Sequence, residues 1–273
     1  MVRMTAMFFW GFMGLCALVS TASAGPQGLP GQVIDVVADS FFFRAPATVR
    51  AGLTTFRLHS PHGGHEMQVI RLNGGHTIMD LVNALRADAP TPWATKLGAP
   101  SFPPPGGATN ATFVLEPGRY ALLCFIHASD GQRHYQKGMF TALSVLHGQR
   151  VRGKLPSPDI VVTMSDNAYR FSVPVTAGRH IIRVVNAGTG VHEFKIFRVL
   201  PGFTTAQALA WKPGSREPRP DENFGSLNSI EPGVSMITTM TFPPGDYIVL
   251  CVLQLKHGMV QTLHVAGKAS GGT

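Results

Sequence analysis

Cysteine is nearly absent from this chain: 3 in 273 residues, too few for the disulfide framework that staples small secreted domains. Acidic residues are sparse as well, 15 Asp and Glu against 23 Lys and Arg, and they are too scattered to supply a convincing acid–base pair. No phosphate-binding loop, dinucleotide-binding glycine pattern or Ser-His-Asp order is present. No His-x-His pair occurs, and nothing resembles a nucleic-acid-binding motif. Beyond the N-terminal segment, no stretch is long and apolar enough to span a bilayer. The formal net charge of +8 comes from basic residues that do not cluster. It suits solubility and the steering of an acidic partner, with no nucleic acid implied.

What is present begins with a leader. Arg3 gives a positive start, Ala6 to Val19 an apolar core, and Ala22-Ser23-Ala24 a small-x-small cleavage site. Residues 1–24 thus read as a signal peptide, and the apolar run is short for a membrane span. An uncleaved anchor is the alternative. Cys16 raises a lipoprotein reading, but Leu15 before it is too bulky for the usual lipobox. The expectation is a periplasmic or secreted protein with no stable membrane insertion after cleavage. Its mature length, about 249 residues, suits two domains of common size.

A long repeat supports that division. His65, Glu66, Arg71, Thr77 and Cys124 each recur 127 residues later, as His192, Glu193, Arg198, Thr204 and Cys251. Pro117-Gly118-Arg119-Tyr120 recurs at the same offset as Pro244-Gly245-Asp246-Tyr247. Solenoid repeats are much shorter, so this period means duplicated domains. The expected boundaries are 25–147 for domain 1, 148–158 for a linker and 159–273 for domain 2.

Abundant Gly and Pro with frequent Val, Thr and Phe favour many short strands joined by turns. Strands are expected at 32–43, 48–58, 67–72, 111–115, 119–125 and 140–146. In the second half they are expected at 160–164, 169–173, 180–186, 193–199, 234–242, 246–252 and 260–265. Thr77 with Asp80, and Thr204 with Gln207, read as capping boxes on one short helix per half. The stretches 89–107 and 212–224 read as Pro- and Gly-rich loops. The fold class is therefore all-β: two tandem Greek-key sandwiches, each with an inserted helix.

The chemistry lies in one short segment. Cys124, His134 and Met139 follow one another, with His65 well upstream. A thiolate, two imidazoles and a thioether are the donor set of a blue-copper electron-transfer centre; this soft sulfur-and-nitrogen set selects copper. Metal ligation also accounts for unpaired cysteines in an exported chain. His127 competes with His134 as the second imidazole, though no Met follows it at a suitable distance. In the second half His192, Cys251, His257 and Met259 keep every ligand type. The loop is shortened, however, and aligning the shared Gly-Met puts Gln254 where the first half has His134. That half is therefore either a distorted copper site or a structural remnant, so one copper is expected, or two. His59 and His62, spaced three apart before His65, read as a solvent-facing loop.

Each half resembles a cupredoxin, the plastocyanin and azurin family of single-copper electron carriers. The likeness covers almost the whole chain after the leader. It rests on His65-Glu66, on Pro-Gly-Arg-Tyr-x3-Cys124 and on His134-x4-Met139. It implies a cupredoxin-like fold, His65, Cys124, His134 and Met139 as copper ligands, and His134 near solvent as the electron portal. The function it implies is an exported type 1 copper protein passing single electrons to a redox partner protein, an acidic one given the charge. A copper-binding or carrier module without a redox role is the alternative. A two-domain copper oxidoreductase is a further one. Such enzymes need extra His ligands beside the Cys, whereas Leu123 and Phe125 flank Cys124, and Leu250 and Val252 flank Cys251. The chain therefore reads as a carrier and not an enzyme.

Overall fold

A computed structural model of the protein describes residues 28–104, 106–212 and 214–267. The expected signal peptide at 1–24, Cys16 included, lies outside the described residues. Among the described residues no helix is long and apolar enough to cross a membrane.

The first half forms β1 (Gln32–Asp39), β2 (Phe42–Arg44), β3 (Thr48–His59), β4 (Gln68–Leu72), α1 (Ile78–Arg86), β5 (Ala94–Ser101), β6 (Ala108–Leu115), β7 (Gly118–Leu123) and β8 (Phe140–Val151). The second half repeats this order: β9 (Ile160–Ser165), β10 (Ala168–Phe171), β11 (Gly178–Asn186), β12 (His192–Val199), α2 (Thr205–Ala210), β13 (Asp221–Ile230), β14 (Ser235–Phe242), β15 (Gly245–Leu250) and β16 (Val260–Val265). Both helices start on the anticipated capping boxes, Thr77 with Asp80 and Thr204 with Gln207. Strand β8 runs to Val151, so the stretch expected as a linker begins inside it.

Each repeat has two layers. In the first they run β2-β1-β3-β6 and β8-β7-β4-β5; in the second, β10-β9-β11-β14 and β16-β15-β12-β13. Chain crossings between layers give the Greek-key path. Alternation drives this arrangement: Ile34, Val36 and Ala38 of β1 point inward while their neighbours stay more accessible. Phe56 and Leu58 of β3, Tyr120 and Leu122 of β7, and Leu143 and Val145 of β8 complete that core. The opposite face of β4 and β7 is also buried, since Ile70, Leu72, Ala121 and Leu123 meet Leu81 and Val82 of α1. Strands β4 and β7 are therefore covered on both faces over most of their length.

Two strands differ from expectation. The stretches read as loops at 89–107 and 212–224 contain β5 and the start of β13, which then runs on to Ile230. These strands join the repeats. Ala99, Pro100 and Ser101 of β5 pair antiparallel with Asn228, Leu227 and Ser226 of β13. In the other layer β6 meets β14 at Thr112 and Ile237. Beside that pair the Asn110 side chain accepts from Thr239 N and donates to Thr239 O, at 2.9 and 2.8 Å. Equivalent strands pair with each other in both layers, as a pseudo-twofold axis between the repeats requires. Edge strands, open to indiscriminate pairing, are closed in this way.

Charge sits at this junction. Lys195, 5% exposed, lies 3.0 Å from Glu193 and 3.6 Å from Glu66, with its Nζ 4.6 Å from the centre of the Phe102 ring. Gln68 occupies the position equivalent to Lys195 and donates to Ser229 O at 3.2 Å.

Candidate metal centre

Backbone hydrogen bonds build the first site. Cys124 directly follows β7, its N–H donating to Met139 O at 3.2 Å. Its own C=O accepts from Tyr135 N at 2.9 Å. The loop from 125 to 138 folds back: His134 N donates to Ile126 O at 2.8 Å, and Met139 N to His134 O at 2.9 Å. His134 opens a 3-10 turn that ends on Gly138, whose φ of 103° favours glycine. The loop thus returns His134 and Met139 towards Cys124 although nine residues lie between Cys124 and His134 in the chain.

The side chains converge. One ligand atom each from His65, Cys124 and His134 lies within 4.8 Å of the others, and all three residues are buried. Cys124 Sγ is 3.5 Å from His134 Nδ1, and the two imidazole rings are 5.1 Å apart, tilted by 58°. Met139 is fully buried. His127 is not in this group. It is exposed and pairs with Arg133 in an isolated bridge. It lines a cleft of about 700 Å³ between the repeats, together with Glu66, Phe125, Glu193 and Lys195.

The exposure expected of His134 is small in this structure: the residue is 7% exposed, as buried as His65 at 8%. The Phe41 and His134 rings meet edge to face, their centres 5.0 Å apart, and Phe41 itself is 37% exposed. Lys137 covers the Phe41 ring at 5.2 Å and is paired with Asp130. Nothing in the sequence pattern marks Phe41, which reaches the site from the β1–β2 turn.

Burial sets the protonation of all three groups. Burial lowers the pKa of His65, with nearby His134 adding to the shift. Burial also lowers that of His134, with Lys137 adding to it. Both rings are therefore biased to the neutral form that a metal needs. Burial pushes the Cys124 thiol up to about 12, against backbone N–H bonds from Glu66 and Ile126 that favour the thiolate. His65 Nδ1 is buried without a hydrogen-bond partner. A buried lone pair left unpaired, beside a thiol and a second imidazole, fits a copper ion.

The second repeat brings together less of its predicted set. His192, Cys251 and Met259 are fully buried, but His257 is exposed at the end of a 3-10 turn, Val252–His257. His192, Cys251 and His257 do not converge as the first trio does. Gln254 takes the place of His134, its C=O accepting from Met259 N at 3.4 Å. The shortened loop, seven residues briefer than its counterpart, leaves one turn between Cys251 and Met259, and that turn carries His257 outward. His59 and His62 are drawn off to Asp35 and Asp39, at 3.0 and 3.3 Å.

No protein-family model matches the chain, and no curated protein does. Among solved structures it is similar to the dithionite-reduced auracyanin of Roseiflexus castenholzii, at 23% identity and TM-score 0.27, over 42% of this chain and 96% of that one. The blue copper protein auracyanin A of Chloroflexus aurantiacus matches at 16% identity and TM-score 0.31, over 42% and 98%. The copper nitrite reductase of Nitrosomonas europaea matches at 15% and TM-score 0.26, over 87% and 94%. Superpositions this loose transfer no ligand and no residue's role.

Proposed function

We propose that this chain is an exported one-electron carrier with a type 1 copper centre held by His65, Cys124, His134 and Met139. The observation that carries this reading is the convergence of two neutral-biased imidazoles on a buried thiol, with a buried thioether next to them in the hydrogen-bonding pattern. Bound copper would supply a reversible one-electron couple. The protein's part is to keep the donors in place and water out. Strand β7 and the hydrogen-bonded loop fix the ligands, so little rearrangement accompanies a change of charge, and the apolar surroundings tune the potential. Metal binding displaces the Cys124 proton to solvent, which makes copper uptake more favourable as pH rises.

With His134 covered, electrons would cross the Phe41 ring or its immediate surround. The net charge of +8 favours an acidic redox partner. An oxidoreductase reading draws on no specific side chain here, because apolar residues flank both cysteines.

Copper(II) titration of the apo-protein, read by optical and spin-resonance spectra, tests the proposal. A strong blue charge-transfer band is expected from the parent, and its loss is expected in Cys124→Ser. Persistence of the band in that variant would falsify the assignment.

A further inference from the structure

The second repeat lacks the converging pair of imidazoles but keeps His192, Cys251 and Met259 fully buried. Its buried thiol keeps the framework of the first site. Cys251 N donates to Met259 O at 3.2 Å, as Cys124 N does to Met139 O. Cys251 Sγ accepts from Glu193 N at 3.4 Å, which seats the sulfur against the residue that follows His192. Cys124 takes the corresponding bond from Glu66.

His192 carries the second, independent observation. Its Nε2 lies 2.9 Å from Asp166 Oδ1, and the same carboxylate accepts from Thr189 N and Oγ1. A carboxylate oxygen in that position accepts, so Nε2 holds the ring proton and Nδ1 keeps its lone pair. Nδ1 is buried and has no hydrogen-bond partner, in a residue with no exposed surface. A carboxylate fixing the far nitrogen is the usual support of a metal-bound histidine. The first repeat lacks that support, since its equivalent Asp39 pairs with His62. Gly188 makes room for it: a Cβ there would lie 2.5 Å from both Asp166 Oδ1 and His192 Nε2.

We propose that His192, Cys251 and Met259 bind one copper(I) ion, in a colourless site distinct from the blue centre. One imidazole with two sulfurs is a softer set than that of the first repeat, and thiolate and thioether donors select copper(I). A structural zinc site would ask for four strong ligands, and Gln254 in place of a second histidine does not supply one. Binding exchanges the Cys251 thiol proton, released to solvent, for the ion; no electron moves.

Anaerobic copper(I) titration of the apo-protein against bicinchoninate tests this, followed by oxidation with ferricyanide. The parent should take up two copper(I) ions per chain and show one blue copper(II) afterwards. Cys251→Ser and Met259→Leu should each remove one copper(I) and leave the blue band intact, which also reports that the chain has folded. Cys124→Ser should keep one copper(I) without colour, with sulfur scattering in its X-ray absorption spectrum. That outcome stands even if the first site proves metal-free. A parent binding no copper(I) that Cys251→Ser removes, or a second blue band arising from the second repeat, would overturn the proposal. Zinc displacing that ion at equal concentration would overturn it as well.

Discussion

At the scale of single residues, the first site is a place where burial and chemistry oppose each other until a metal arrives. The Cys124 thiol, ordinarily near 9, is pushed up to about 12 by desolvation. Folded apo-protein therefore holds this proton more tightly than the unfolded chain does. The associated stability is complete below pH 9 and is lost progressively as pH rises towards 12. Denaturant melts of the apo-protein should show stability falling as pH rises from 9 to 10.5, with a shallower fall in Cys124→Ser. Phe41 gives a second expectation. If its ring shields His134, Phe41→Ala should speed bleaching of the blue band by a small soluble reductant several-fold, while an unchanged stopped-flow rate would remove Phe41 from the path. Two buried tyrosines show the repeat in miniature: Tyr120 OH donates to Glu116 O and Tyr247 OH to Pro243 O, each at 2.7 Å. Each Tyr→Phe change should cost about 1 kcal/mol, and the two costs should add in the double variant because the hydrogen bonds lie in different repeats and share no partner.

Strands β5 and β13 carry the argument at the scale of elements. Both look like loops in sequence because they alternate poorly and contain Gly, Pro, Asn or Ser. They are strands because each has a partner on both sides, β4 and β13 for one, β12 and β5 for the other. Gly98 in β5 has φ +85°, and a Cβ there would meet Met236 Cε at 2.4 Å and Asn228 O at 3.0 Å, both on the second repeat. Gly98→Ala should therefore add overpacking of about 1–3 kcal/mol to an unfavourable backbone conformation. Loss should be largest for contacts between the repeats. Hydrogen exchange at 226–228 should quicken more than exchange within β3 or β7, and equal slowing or quickening throughout would contradict this.

The whole molecule is organised about the pseudo-twofold junction, where two buried carboxylates share one ammonium. Desolvation raises the pKa of Glu66, opposed by Lys195. Replacing Lys195 by Met leaves Glu66 and Glu193 without their cation, at a cost of about 3–5 kcal/mol near neutral pH. A carboxyl group raised in the folded state favours folding while protonated, so stability should recover on acidification. The thermal midpoint of Lys195→Met should rise from pH 7.5 to pH 5, by more than the parent's does. A midpoint that falls over that interval would show that the triad is not the source of the effect. The junction also closes both repeats' edges, so this substitution should reveal whether the two sandwiches unfold together.

Much of this protein was decided by its local sequence. Period-two alternation, turn residues and two capping boxes determined which segments are strands and where α1 and α2 begin. The fixed offset of 127 residues established the duplication, and donor types alone pointed to copper. These signals are local, or exact in spacing, and therefore survive without coordinates. Other features depend on groups brought together from distant parts of the chain. Tertiary structure brought His134, already favoured over His127 by the His134-x4-Met139 spacing, back to Cys124 and left His127 exposed. It also placed His257 outside the second site, set Phe41 over His134, and made strands of β5 and β13. Phe41 and strands β5 and β13 have no period or motif to mark them; each follows from what lies across the fold when its backbone groups and side chains seek partners.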